Sequence, residues 1–323
     1  MPGLLVTAAV MSNPGIRDIY GFAQGLDYYR YINCYAESGA GVCDGMTVNR
    51  IFRSNIIEKI KDENFFVYLH YMDVHNPYHK PIAFKGRFMP YKGEPVYKNG
   101  IVTNISSKEL RYSIACYDEC IIYMDKVLKN LFTTLESEQL LERSLVIITS
   151  DHGDEFLEHG GLGHGTTCYN ELIQSFIIFL HPRLPAKTIS STVSLVDVLP
   201  TVLDWCDVDY PSDELDGETL MPLIKQADAE FKNRIFASEL GDIKAVINKN
   251  MKYIYNLRTK SAELYDLKKN PEETENVVNK RKRDTARLFK IIKEMAKKMT
   301  VSYSEKKLSD AERKNLQSLG YIR

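Results

Sequence analysis

The stretch Leu145-Val146-Ile147-Ile148-Thr149-Ser150-Asp151-His152-Gly153, followed shortly by His159-Gly160-Gly161-Leu162-Gly163-His164-Gly165, decides how this chain reads. An uncharged, β-branched run reads as a buried parallel strand, and open α/β sheets place ligands just past the carboxyl ends of such strands. The carboxylate and imidazole side by side at that end, Asp151 and His152, can both reach one cation, because oxygen and nitrogen donors suit several divalent metals. Four glycines around His164 let the next loop turn tightly and bring backbone close to a small anion. All seven histidines fall between His70 and His181, so the candidate chemistry is concentrated in the middle third.

Working outward, 323 residues have room for one large domain and a smaller one. A net charge of −1 gives no electrostatic case for nucleic acid or an acidic membrane. No apolar stretch approaches the length of a bilayer span. The start, Met1 to Met11, is apolar but has no basic residue ahead of it and no convincing cleavage site, so it reads as a strand rather than a leader. The six cysteines form no C-x-x-C pair. Cys116 and Cys120 lie four apart on a predicted helix and read as buried thiols, which points to a reducing, cytoplasmic compartment. Nothing in the sequence sets the oligomeric state.

Strands are expected over Leu4–Met11 and Phe65–Tyr71, with an irregular Tyr- and Gly-rich stretch between Gly21 and Gly45 and a helix near Val48–Lys61. Ser106 and Glu109 form a capping box that opens a long helix. Its expected apolar face is Leu110, Ile114, Tyr117, Ile121, Met124, Leu128 and Leu131. A further strand is expected at Gln174–Leu180 and a short helix at Ser194–Trp205. After Leu223 the alternation gives way to short β-type runs at Arg234–Ser238, Ile243–Ile247, Lys252–Tyr255 and Glu263–Leu267. A polar helix from Thr274 to Met299 closes the pattern, its basic Lys280–Arg283 cluster reading as a solvated face. The expected domains are 1–225 and 226–323.

Several stretches together resemble the sulfatase family of the alkaline-phosphatase-like superfamily. Phe66–Tyr78 (FVYLHYMDVHNPY) is similar to the family's strand that ends in a histidine and proline, and Leu145–Gly153 to its metal-binding strand end. His159–Glu171 resembles the loop and helix that follow, and Asp216–Leu223, Glu263–Pro271 and Leu316–Ile322 resemble late motifs. The resemblance implies a three-layer α/β sandwich of the alkaline-phosphatase-like type with a small C-terminal antiparallel α+β subdomain. It departs at the front. The family carries paired aspartates on its first strand and then a Cys- or Ser-x-Pro-x-Arg motif whose first residue becomes formylglycine. Neither stands in this sequence, where Cys34 precedes Tyr-Ala-Glu-Ser and Cys43 precedes Asp-Gly-Met-Thr. Thr7–Pro14 and Gly21–Asp27 look like segments that normally follow that nucleophile. The expectation is therefore a sulfatase incomplete at its N-terminal side, with little activity alone.

The resemblance implies residue roles. Asp151 and His152 match metal ligands, with calcium first by family and magnesium, manganese or zinc open because imidazole at 152 tolerates softer ions. His75 matches the histidine that contacts sulfate or the leaving oxygen. His164 falls where many relatives place a lysine, giving an anion contact whose charge depends on pH. His70 and Asp73 are expected to orient His75. His70, His75 and His79 as a zinc triad fit neither a strand face nor a helix face. The expected reaction is hydrolysis of a small-molecule or carbohydrate sulfate ester. The alternatives are phosphate or phosphonate ester hydrolysis on the same metal geometry, or a non-catalytic remnant that binds metal or a partner.

Overall fold

The computed structural model describes residues 5–32, 44–78, 86–90, 95–96, 100–101, 104–225 and 234–298. Cys34, Cys43, His79 and the Leu316–Ile322 motif lie outside the described residues. In chain order the elements are β1 (Leu5–Met11), β2 (Tyr28–Tyr31), α1 (Gly45–Asn55), α2 (Ile57–Ile60), β3 (Asn64–Leu69), β4 (Gly100–Ile101) and α3 (Ser107–Ser137). They continue with β5 (Val146–Thr149), β6 (Glu155–Phe156), β7 (Gly161–Gly163), α4 (Asn170–Ile173), β8 (Ile177–Leu180), α5 (Val198–Trp205) and α6 (Met221–Lys225). The last are β9 (Ile235–Leu240), β10 (Ile243–Asn248), β11 (Met251–Asn256), β12 (Ala262–Asp266) and α7 (Lys282–Lys298). These fall into two compact units, one of the described residues to Ser144 with Gly160–Gly165, the other of Leu145–His159 with the described residues from Thr166 on. Among the described residues no helix is long and apolar enough to cross a membrane.

In the first unit β1 is the middle of a parallel sheet of order β2-β1-β3, in register Ala8↔Tyr28 and Ala8↔Val67. Its Ala8, Ala9 and Val10 are wholly buried, as expected of a central strand covered on both faces. β2 arises inside the stretch expected to be irregular. Its four residues, YYRY, are too few to show a period, yet aromatic side chains suit an extended edge. α1 starts where Asp44 accepts the Met46 N–H (3.0 Å), and it buries Val48, Ile51 and Phe52. Asn49 donates to the Val127 carbonyl on α3 (2.8 Å) and accepts from the Tyr71 hydroxyl (2.7 Å).

α3 carries the expected capping box, but its buried face is rotated from the expected one. The buried residues are Tyr112, Ser113, Ala115, Cys116, Glu119, Cys120, Tyr123, Val127, Leu131, Thr134 and Leu135, while Ile121 is 45% exposed. The polar members explain the rotation. Ser113 accepts from Val96 N (2.9 Å) and Glu119 from Phe88 N (3.2 Å), so hydrogen bonds to loop backbone make their burial tolerable where hydropathy alone points to the neighbouring stripe.

In the second unit β5 pairs with β8 antiparallel, in register Val146↔Leu180. The parallel partner expected for this run is thus corrected. The chain between the two strands forms short strands and a single-turn helix, not the long helix that a parallel crossover uses, and an apolar run does not encode strand direction. The four late runs form the expected antiparallel sheet, in order β12-β11-β10-β9. Val246, Met251, Tyr253 and Leu264 on it pack against Leu288 and Ile292 of α7. That helix starts at Lys282 and not near Thr274. Val277 N–H donates to the Leu264 carbonyl (2.8 Å) and Asn276 accepts from Leu264 N (3.0 Å), so the intervening residues edge β12. The basic cluster is paired as a solvated face would be, Lys280 with Glu275 at 2.7 Å and Arg281 with Asp266 at 3.5 Å.

Two outcomes follow. Arg234 grips the fully buried Asp197 with both terminal nitrogens (2.9 and 2.5 Å). Arg234→Ala strands that carboxylate and should cost about 3–5 kcal/mol in denaturant unfolding. In the first unit Asp73 is buried and accepts the Gly45 N–H at 2.9 Å, closing the start of α1. Burial, with a smaller push from Asp44, raises its carboxyl to about 7 against an opposing pull from the Gly45 bond. An unfolded Asp73 ionises near pH 4 while the folded one keeps its proton until about pH 7, so its contribution to stability falls across that window. Asp73→Asn keeps the acceptor without the charge. Its melting temperature relative to the parent should rise between pH 4 and 7 and level off above; a pH-independent difference would contradict the assignment.

Candidate functional site

The expected site residues are divided between the two units, His70, Asp73, His75 and His164 in the first and Asp151 and His152 in the second. In the first, β3 ends at Leu69, and His70 N–H extends the parallel ladder to the Val10 carbonyl (2.9 Å) while its own carbonyl accepts from Ser12 Oγ (2.8 Å). The chain then turns through Asp73, whose carboxylate is engaged with α1, so this residue positions the loop by anchoring it. Its side chain thereby serves the backbone between His70 and His75. The His70 ring lies 6.2 Å from that of Tyr68.

His75 N–H donates to the Met72 carbonyl (3.1 Å), and its ring Nδ1 meets the Asn76 carbonyl. A carbonyl only accepts, so Nδ1 carries a proton and the reactive lone pair, or a second proton, belongs to Nε2. The His75 ring meets that of His164 edge to face, centroids 4.7 Å apart at 71°. His164 is buried and follows β7, which pairs antiparallel with β4. Gly163 and Gly165 flank it with φ of +75° and +80°, a region that glycine enters without steric cost. Two of the expected catalytic residues, remote in sequence, are therefore in contact.

In the second unit, Asp151 and His152 stand just past the end of β5. Asp151 Oδ1 accepts the His152 N–H (2.9 Å), and its side chain is 72% exposed. His152 Nδ1 donates to the Gly153 carbonyl (3.0 Å), so Nε2 is the ring nitrogen that faces Asp151 Oδ2, at 3.9 Å. Two donors that each bind one ion at about 2.0–2.5 Å lie roughly 3–4.5 Å apart, so this pair fits a divalent cation. Gly153 is required for a steric reason. A Cβ there would lie 2.2 Å from the Glu171 carbonyl oxygen, and its N–H donates to the Leu172 carbonyl (3.0 Å).

A buried charged cluster next to this turn was not foreseen. His159 Nδ1 lies 2.6 Å from Glu171 Oε1, His159 N–H donates to Glu155 (2.9 Å), and Lys252 pairs with Glu273 at 2.7 Å with neither side chain exposed. Alternation along Met251–Tyr255 puts Lys252 on the same side as Ile254, which is the one sequence signal that a lysine was entering a core.

The family described as Sulfatase matches residues 6–208, and that described as N-sulphoglucosamine sulphohydrolase, C-terminal, matches residues 158–304. An uncharacterized sulfatase, YidJ, of Escherichia coli K12 is 22% identical over 241 residues, 68% of this chain and 48% of its own. Arylsulfatase K of Xenopus laevis is 31% identical over 129 residues, 40% of this chain and 24% of its own. The chain thus spans about half or less of the length of these curated relatives. Among solved structures, a 2-O GAG sulfatase superposes with a TM-score of 0.68 at 16% identity, covering 97% of this chain and 75% of that one. A protein solved with its substrate D-glucosamine-2-N,6-O-disulfate gives 0.67 at 16% identity, over 91% and 80%. A phosphonate monoester hydrolase from Silicibacter pomeroyi gives 0.64 at 16% identity, over 79% and 60%. The fold is the mixed α/β, alkaline-phosphatase-like one, and with a match that runs from residue 6 to residue 208 the chain belongs to the sulfatase family.

Proposed function

We propose that the protein is a metal-dependent sulfuric ester hydrolase, with residues 1–225 as its catalytic portion and 226–323 as a C-terminal portion of antiparallel sheet and helix. The observation that carries this reading is the edge-to-face contact of His75 with His164 in a chain of the sulfatase family. In this reading Asp151 and His152 hold the cation, and His75 and His164 contact the ester. Calcium is the first choice, and magnesium, manganese and zinc suit the mixed donor pair. The ion, when bound, polarises a sulfuryl oxygen.

His75 keeps its Nδ1 proton on the Asn76 carbonyl and presents Nε2 to the leaving oxygen, handing it a proton when the ring is charged. His164, in contact with His75, donates an N–H to a sulfuryl oxygen. His70 and Asp73 hold the loop that carries His75. A carbohydrate sulfate ester as substrate is supported by the similar protein solved with a disulfated glucosamine. Phosphonate or phosphate ester hydrolysis is the second reading, supported by the likeness to a phosphonate monoester hydrolase. The buried thiols of Cys116, Cys120 and Cys168 support a reducing, cytoplasmic setting.

The sequence holds no Cys- or Ser-x-Pro-x-Arg, so residues 1–323 alone should hydrolyse aryl sulfates negligibly. Joined to a relative's N-terminal segment and matured to formylglycine, the protein should turn over a chromogenic aryl sulfate with added Ca²⁺ or Mn²⁺. Asp151→Ala should then lower the rate at least about 100-fold, and His75→Ala should lower kcat by about 10²–10⁴. Turnover of an aryl phosphonate alone would establish the second reading. Metal-dependent sulfatase turnover by residues 1–323 unaided would contradict the expected inactivity and require a different nucleophile within these residues, and an undiminished Asp151→Ala variant would contradict the metal assignment.

A further inference from the structure

We propose that His159 is held as an imidazolium and acts as the positioning residue for the Asp151–His152 turn. Both of its ring nitrogens face acceptors. Nδ1 lies 2.6 Å from Glu171 Oε1, and Nε2 lies 3.2 Å from the backbone carbonyl oxygen of Glu273. A carbonyl cannot donate, and an ionised carboxylate cannot either, so satisfying both contacts takes two ring protons. The Tyr169 ring is stacked on the imidazole at 3.7 Å and 11°, a face that attracts a cation.

The surrounding charges point the same way. Glu155, on β6, accepts the His159 backbone N–H. Glu171 and Tyr169 come from the start of α4, and Glu273 comes from the turn after β12 with Lys252 of β11 paired to it and Cys168 close by. Glu263 of β12 accepts from the hydroxyls of both Tyr169 and Tyr265. With Lys252 paired to Glu273, an imidazolium offsets part of a carboxylate excess that a neutral ring would leave standing. Burial opposes the charge, but the Glu171 hydrogen bond and carboxylate, followed by Glu273, outweigh it and hold the ring above the ordinary histidine range.

The consequence reaches the turn through Glu171. Its side chain is fixed by His159, its backbone carbonyl is the atom that excludes a side chain at Gly153, and the next carbonyl, of Leu172, accepts the Gly153 N–H. Glu273 secures the same segment from the other side, accepting the Asn170 N–H at 2.6 Å while itself in the left-handed region (φ 52°). The charged ring thus ties the loop after the strand end, the start of α4 and the turn after β12 into one support beneath Asp151-His152-Gly153. The imidazolium stands on geometry alone; only its catalytic consequence rests on reading Asp151 and His152 as cation ligands.

Nuclear magnetic resonance of the full chain with ¹⁵N-labelled histidine tests it. The His159 ring should titrate above about 6.5, the ordinary value, with both ring nitrogens protonated below its midpoint. A titration at or below the ordinary value, or one ring nitrogen bare below the midpoint, would overturn the proposal. In Glu171→Gln and His159→Gln the Gly153 amide should exchange about tenfold faster, while amides of the β10–β11 ladder keep their protection. Uniform loss of protection would reduce His159 to a merely structural role, and an unchanged Gly153 would sever the link to the turn; either overturns it. If His159→Gln fails to fold, Glu171→Gln and the parent chain carry the test. A raised folded value makes this contribution full below the unfolded value near 6.5 and lost as pH rises through the higher folded value, so parent Gly153 protection should fall selectively across that rise. Zn²⁺ that displaces the His159 ring protons, with Glu155 and Glu171 as co-ligands, would overturn the proposal in favour of a metal site. None of these signals needs ester hydrolysis, so the failure of the hydrolase reading and of this one are told apart.

Discussion

The close approach of the Glu171 carbonyl to Gly153 is the constraint on which the second unit's part of the site depends. At 2.2 Å from an ideal Cβ it permits only glycine, and the accompanying bond from Gly153 N–H to the Leu172 carbonyl fixes where the chain leaves β5. Asp151 and His152 are then displayed at the strand end by backbone geometry. The Asp151 side chain is largely exposed and that of His152 half-buried, its Nδ1 bond to the Gly153 carbonyl setting the tautomer. A strand-end pair built this way needs no buried charge of its own, because its rigidity is supplied by backbone contacts from beneath.

The first unit solves a different problem, that of bringing two imidazoles into contact. A three-stranded parallel sheet delivers one, by a loop anchored through Asp73 on the start of α1. A glycine-bracketed strand paired with β4 delivers the other.

How much of this was legible in the sequence depends on what kind of physics wrote it. The late antiparallel strands could be read almost to the residue, because short β-branched and aromatic runs set off by Asn, Gly and Lys turns leave little freedom. The capping box at Ser106 and Glu109 was equally plain, being a local hydrogen-bond pattern. Strand direction at Val146–Thr149 was not, since hydropathy is blind to it. The buried face of α3 was misplaced because Ser113 and Glu119 enter the core through bonds to distant backbone. Asp151, His152, His75 and His164 stood out as residue types at strand ends. The His159, Glu171, Lys252 and Glu273 cluster did not, for its members are drawn together by tertiary pairing between segments a hundred residues apart, which no local pattern records.

The central claim is that Asp151 and His152 ligate a divalent cation and that His75 and His164 receive the sulfate. Anomalous diffraction from crystals grown with Mn²⁺ and sulfate tests it most directly. The account predicts a manganese peak about 2.0–2.4 Å from both the Asp151 carboxylate and His152 Nε2, with a sulfate in hydrogen-bond reach of His75 and His164. Manganese bound among Glu155, His159 and Glu171, with none at Asp151, would contradict it.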